Sequence, residues 1–371
     1  MKVLLVVLHA DASRGGAEGY TVTLFHRLLA EGHDARVAAA TFEPSIPRDR
    51  RVPLDFRGVT RTGRYARFLR SLDRHIDGNP DEIVHTMLPV RRCDIYQPQA
   101  GLEVAEWKTL PLAKRIGNAR RRAFAATERR LLSGDAPPMT ICLSERTRRQ
   151  AVEIFERPDR FVTVYHAVDE TLFPPVPPRN AAATPVCVFV GQDFARKGLD
   201  VAIDAIAKHP TARLRVVGGD DAQSYVAQAK AHGLAVGFVG ATGRANDAAD
   251  DQVTGRVEFI GATRDVATQL RDADVFVFPT RREPFGMVVV EAMLCGVPPV
   301  VSRAAGAAEI IRDGVDGRIV DGEDPAAWAA AFDDVLANRA AMSAACLARR
   351  DELSYSNHLR TLLALYERAK R

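Results

Sequence analysis

Short, continuously apolar runs alternate along this chain with longer stretches of helical spacing. That pattern predicts strands covered on both faces by helices. Residues 2–8 form the first apolar run. A loop over 9–16 follows and ends in Gly15 and Gly16. Over 17–31 the apolar positions Val22, Phe25, Leu28 and Leu29 fall on one side of a helix, and Gly32 supplies its stop. Residues 36–40 read as the next strand. Strand, glycine loop, helix and strand make one βαβ unit and imply a parallel sheet. Residues 81–87 and 138–144 read as further strands, the second leading into a helix near Glu145.

The texture changes over 170–186. Pro174, Pro175, Pro177, Pro178 and Pro185 exclude a helix interior or a central strand, so this stretch reads as an interdomain linker. The alternation then restarts. An apolar run at 186–190 enters a turn at Gly191. Helices follow at 200–208, 222–232, 265–273 and 288–294, and strands at 214–217, 257–260, 275–279 and 299–302. The expectation is an α/β protein with two Rossmann-like doubly wound domains, 1–175 and 186–350. A last helix over 355–371 is expected to cross back to the first domain. Residues 235–254 are small and polar and read as a surface insertion, either a tolerated loop or a lid.

Length fits two domains: the chain has 371 residues. Its 51 basic and 47 acidic residues leave a net charge of +4, too little to imply a nucleic-acid partner globally. The five cysteines, Cys93, Cys142, Cys187, Cys295 and Cys346, form no C-x-x-C pair, and an odd count argues against a disulfide framework. They read as buried thiols of a cytoplasmic protein. No run reaches the roughly 18 apolar residues of a membrane helix. One segment, 108–130, is strongly basic, with apolar residues interspersed and Glu128 as its one acid. It reads either as a solvated basic helix or as one that meets an anionic membrane surface.

Candidate chemistry concentrates in the second half. Glu283 and Glu291 stand eight apart, one in the loop after a strand and the other about a turn into the next helix. Between them Phe285, Gly286, Met287 and Val288 offer backbone N–H groups at a helix amino end. Two carboxylates around such donors suit a ligand with hydroxyls and phosphate, and spacing alone fits a helix cap plus a surface glutamate equally. Gly191, Asp193, Arg196 and Lys197 lie in the turn after the strand 186–190. An adjacent guanidinium and ammonium can clamp a diphosphate and stabilise it as it leaves, or they form an ordinary solvated turn. Gly15 and Gly16 open the first helix but lack the full G-x-G-x-x-G fingerprint, which weakens a dinucleotide reading. Gly306 to Glu309 and Asp313 to Gly317 read as a further loop and turn.

With these residues in hand, the chain resembles the family-4 retaining glycosyltransferases of GT-B fold, whose hallmark Glu-x7-Glu corresponds to Glu283 and Glu291. Within them it is most similar to the lipopolysaccharide-core glucosyltransferases that act on inner-core heptose. The stretch 190–200 resembles their phosphate-binding loop, Asp94 to Tyr96 falls in a similar segment, and 108–130 matches their basic membrane-associating helix in position and charge. The resemblance implies a bacterial hexosyltransferase whose two domains face each other across a cleft. It implies UDP-glucose as donor, a lipopolysaccharide-core-like glycan or lipid as acceptor, no metal, and a location on the inner face of the cytoplasmic membrane. Glu291 would hold the ribose, Arg196 and Lys197 the diphosphate, and Glu283 with the Phe285–Met287 backbone the sugar. Gly15, Gly16, Gly191, Asp193, Ile260 and Val288 would line the donor site. Asp94 would serve the acceptor side. The relatives carry an acid six residues after Asp94, where this chain has Ala100.

Two other readings keep the same residues: another donor with a non-lipopolysaccharide acceptor, or a protein that binds nucleotide sugars without turning them over. A Rossmann dehydrogenase would need the complete glycine fingerprint that is missing.

Overall fold

The computed structural model describes residues 1–109, 118–238, 255–263 and 265–369. The chain divides into two compact units. The first holds Met1–His166 and the C-terminal residues from His358 on; the second holds Ala167–Asn357.

In the first unit seven strands form one parallel sheet: β1 (Lys2–Val6), β2 (Asp34–Ala39), β3 (Arg51–Pro53), β4 (Ile83–Thr86), β5 (Ile95–Tyr96), β6 (Met139–Cys142) and β7 (Phe161–Thr163), in the order β3-β2-β1-β4-β5-β6-β7. Val3 to Val6 are wholly buried, which is why β1 is apolar throughout. The helix Gly16–Ala30 ends where Gly32 takes a left-handed φ of 77°. The helix Arg61–Gly78 escaped the sequence reading. Its buried stripe, Tyr65, Phe68, Leu69 and Leu72, has helical spacing but is embedded among arginines.

The second unit repeats the scheme with β8 (Val186–Val190), β9 (Arg213–Val217), β10 (Val236–Phe238), β11 (Val257–Gly261), β12 (Val275–Phe278), β13 (Pro299–Ser302) and β14 (Arg318–Val320). Their order is β10-β11-β9-β8-β12-β13-β14, again all parallel. Trp328 and Phe332 of the helix Pro325–Ala337 pack onto this sheet beside Phe189, Val277 and Val300.

Three expectations change. Residues 167–185, read partly as linker, belong to the second unit: Val176 N donates to Cys295 O (2.9 Å), and the Arg350 guanidinium reaches the Phe173 and Glu170 carbonyls. The basic segment 108–130 is not one helix. Glu103–Thr109 and Ala119–Ser133 are separate, the second capped by Asn118, whose side chain accepts from Arg121 N at 3.0 Å. Its Phe124, Ala125, Leu131 and Leu132 are buried, so its apolar side is spent on the protein's own interior. Glu128, taken for part of the basic face, is also buried there and accepts from Tyr96 Oη and Val104 N. Lys114 and Arg115 of that segment, and the insertion from residue 239 to 254, lie outside the described residues.

Candidate functional site

The strand order of the second unit reverses between β8 and β12, and the loops leaving the carboxyl ends of such a pair form the ligand crevice of an open α/β sheet. These two loops carry the two motifs singled out from the sequence. After β8, Gly191 leads into a turn in which Asp193 adopts a left-handed conformation (φ 60°) and caps the short helix Phe194–Lys197. After β12, residues 279–286 lead into the helix Met287–Cys295.

Glu283 joins the two loops. Its Oε2 accepts from Arg196 Nη1 at 2.8 Å and from Lys197 Nζ. Arg196 also donates to Asp193 Oδ2 (2.8 Å) and Arg282 O (3.0 Å). Lys197 Nζ lies 4.5 Å from the centre of the Phe278 ring, a cation–π contact made by the last residue of β12. Burial would raise the Glu283 carboxyl, but Lys197 and Arg196 override it and hold it below the ordinary carboxylate range. Burial also lowers Lys197, with Glu283 opposing. Glu291 sits on the second turn of the helix Met287–Cys295. Its enclosure pushes its carboxyl up to about 7, and the charge of Lys197 pulls the other way. Gly286 caps that helix without a side-chain partner, which sets the helix amino end beside the two glutamates.

Backbone closeness dictates the glycines here. Gly198 has φ 76°, and a Cβ on it would lie 2.1 Å from Pro279 O. The turn bearing Arg196 and Lys197 is thereby pressed against the loop bearing Glu283. We expect Gly198→Ala to cost roughly 1–3 kcal/mol of stability through strain and to weaken nucleotide binding; an unchanged melting temperature with unchanged binding would refute the packing argument.

Several residues that hold this geometry were not found from sequence. Arg281 spans Asp200 (3.0 and 2.7 Å) and Glu323 (3.0 and 2.7 Å), and its backbone N–H donates to Arg196 O at 2.9 Å. Asp220 accepts from Phe194 N at 2.9 Å. Their partners named above lie 26 to 85 positions away (220 − 194 and 281 − 196), so no local spacing marks them. Gly191 packs on the Lys197 stem, Ile260 lies near the carboxyl end of β11, and Phe285 is buried.

In the first unit, Gly15 and Gly16 stand exposed at the amino end of the helix Gly16–Ala30, with Gly15 in ordinary extended backbone. Asp94 differs from its expected place. It precedes β5, at the amino-terminal edge of the sheet, and its Oδ2 accepts from Val84 N at 2.7 Å. Burial raises its carboxyl while the Val84 N–H opposes. This geometry makes Asp94 a tie between β4 and β5, away from the carboxyl edge where a ligand would sit.

Chemically, the second-unit site brings two cations onto one carboxylate, beside a helix amino end and a second glutamate whose carboxyl is raised by burial. Residues 184–338 match the family model described as Glycosyl transferases group 1. D-inositol 3-phosphate glycosyltransferase of Mycolicibacterium vanbaalenii is 34% identical over 246 residues, 63% of this chain and 54% of its own length. The protein of that name from Mycobacterium bovis is 32% identical over 226 residues, 57% of this chain and 44% of its own. The chain thus spans about half the length of the curated relatives it matches. Among solved structures, WaaG, a glycosyltransferase involved in lipopolysaccharide biosynthesis, superposes with a TM-score of 0.73 at 20% identity, over 99% of this chain and 98% of its own. Anabaena HepE in complex with UDP-glucose gives 0.70 at 17%, over 98% of each. The resemblance to group 1 glycosyltransferases is therefore shown, the family model falling within the second unit, and the fold is GT-B.

Proposed function

We propose that this chain is a retaining hexosyltransferase that moves a hexose, with glucose from UDP-glucose the leading case, to a glycan or glycolipid acceptor without a metal. The observation that carries the reading is the meeting of Arg196, Lys197 and Glu283 at the strand-order reversal of the second unit, beside Glu291. Arg196 and Lys197 neutralise the donor diphosphate. Glu283 and the N–H groups after Gly286 hold the sugar, and Glu291 accepts from the ribose hydroxyls. The bond between the anomeric carbon and the diphosphate oxygen breaks. The acceptor hydroxyl attacks from the same face, and its proton passes to the departing diphosphate. The two cations stabilise the charge that grows on that oxygen. The names of the relatives support this choice: one was solved with UDP-glucose, and others are named for a phosphorylated cyclitol acceptor.

No helix among the described residues is long and apolar enough to cross a membrane. The proposed setting is the cytoplasm and the inner face of its membrane, with the basic residues of Ala119–Ser133 meeting anionic lipid by charge rather than by insertion.

Hydrolysis of a panel of nucleotide sugars tests the donor. UDP-glucose is expected to turn over fastest. A faster rate with another nucleotide sugar would favour the other-donor reading, and binding with no turnover of any would favour a non-catalytic protein. We also expect Glu291→Gln to raise KM for the donor about tenfold with kcat largely kept, the signature of lost uniform binding. Steady-state kinetics checks this, and an unchanged KM would remove Glu291 from the ribose site.

A further inference from the structure

Arg281 lies in the loop after β12, two residues before Glu283, and its side chain reaches other partners than the Glu283 cluster. A guanidinium carries five N–H donors, and in Arg281 each has a protein acceptor. Nε donates to Glu323 Oε1 at 3.0 Å. Nη1 donates to Asp200 Oδ1 at 3.0 Å and to the Ala195 carbonyl. Nη2 donates to Asp200 Oδ2 and to Glu323 Oε2, both at 2.7 Å. With every donor committed, this arginine has none left for a phosphate. Arg196 differs: among the described residues its Nε and Nη1 are engaged, and its Nη2 has no protein acceptor.

The place of these acceptors gives the arginine its meaning. The helix Phe194–Lys197 is a single turn, too short to satisfy its own carboxyl-end carbonyls. Arg281 satisfies two of them. Its side chain takes Ala195 O, and its backbone N–H takes Arg196 O at 2.9 Å, where Thr280 Oγ1 also donates at 3.2 Å. Those carbonyls belong to the peptide groups on either side of Arg196, and the second leads directly into Lys197. Fixing both peptide planes fixes the directions in which the two cations leave the backbone. Asp200 stands in the first turn of the helix Leu199–Lys208, and Glu323 in the loop after β14. One guanidinium thus joins the loops after β8, β12 and β14. Burial would raise the Asp200 carboxyl, and Arg281 holds it below the ordinary range instead. An isolated exposed pair contributes little, but two carboxylates held bidentately on one planar fork fix a geometry.

We infer that Arg281 is a positioning residue of the donor site: clamped by Asp200 and Glu323, it fixes the peptides around Arg196 and so aims Arg196 and Lys197 at the diphosphate. The inference rests on the sugar-transfer reading above, which places the diphosphate there. One cation between two carboxylates leaves a net negative charge, so the triad serves an anionic ligand through geometry and not through attraction. Lysine cannot take its place, since an ammonium has three donors and no fork.

Calorimetric titration of UDP into the full chain, beside thermal melts, tests it. Arg281→Gln is expected to weaken UDP binding at least about tenfold, and Arg281→Lys by about as much, because charge alone does not rebuild the fork. In a chain that already carries Lys197→Ala, Arg281→Gln is expected to cost no more than about threefold, since one of the cations it aims is gone. A merely structural role would cost the same factor in both backgrounds. Glu323→Gln changes an exposed side chain on one side of the clamp and is expected to weaken UDP about threefold; unaltered affinity there overturns the inference whatever Arg281→Gln does to the fold. Unchanged UDP affinity in Arg281→Gln, wild-type affinity in Arg281→Lys, or an equal loss with and without Lys197 each overturns the inference alone while the wild type still binds UDP. Failure of the wild type to bind UDP overturns the transfer reading and this inference with it.

Discussion

Alanine in place of Lys197 is expected to lower the rate of sugar transfer by ~10²–10³-fold, the range seen when one preorganised donor to a developing oxyanion is removed. Three contacts make Lys197 the most sensitive point. Its ammonium meets Glu283, lies against the Phe278 ring, and is nearly buried, at 12% side-chain exposure. A cation held with so little water acts at low dielectric, where its field on a departing diphosphate is strong. The variant should still fold, because Arg196 remains to pair with Glu283 and the neighbouring strands keep their apolar faces. Donor hydrolysis measured beside a thermal melt checks both parts. A loss below about threefold would place the diphosphate elsewhere.

The second large effect concerns acid. His85, His166 and His358 are buried in the first unit. His85 Nδ1 contacts Tyr366 Oη at 2.7 Å, His358 Nε2 contacts Tyr20 Oη at 2.8 Å, and His166 Nε2 contacts Gln99 Oε1 at 2.7 Å. Burial drives the first two of these contacts' histidines down to about 3 and 4, and His166 to about 3; the charge of His358 adds to the shift of His85 and His166. The folded protein therefore keeps them neutral while the unfolded chain protonates them near 6.5. Their contribution is fully present above that value and is lost as pH falls through it toward the folded values. Two acids act oppositely. Burial raises Glu128 and Glu291 to about 7, so between 7 and the unfolded value near 4.5 the folded state takes up two protons that the unfolded chain does not. Three protons against two leave a shallow net loss of stability from pH 6.5 to 4.5. Below 4.5 the unfolded acids also protonate and the loss steepens, until the folded histidines take up protons of their own near 4 and 3. His358→Gln should be less stable at pH 8 yet lose less between pH 7 and 4, so that the two stability curves converge. Parallel curves from urea melts across that range would contradict the assignment.

The two sheets were legible because parallel strands buried on both faces must be apolar throughout, and β8 and β13 fall on the runs read for them. Strands of two or three residues, such as Ile95–Tyr96 and Arg318–Val320, are too short to leave a period. The helix Arg61–Gly78 was hidden because its apolar stripe is narrow and its remaining surface is arginine. At the site, Arg196, Lys197 and Glu283 could be found because each follows a readable strand. Asp94 entered through a resemblance between segments, which does not say which edge of the sheet bears the residue; it precedes Ile95 and lies at the amino-terminal edge. Arg61 and Arg64 come from the helix Arg61–Gly78, so no readable period marked the first-unit cavity they line.

The central claim is that the second unit holds a nucleotide diphosphate between the loops after β8 and β12. Calorimetric titration of UDP into the wild-type chain, Lys197→Ala and Glu291→Ala tests it most directly. The account predicts saturable binding by the wild type and a loss of at least about tenfold in affinity in each variant. Wild-type affinity in both variants would contradict it.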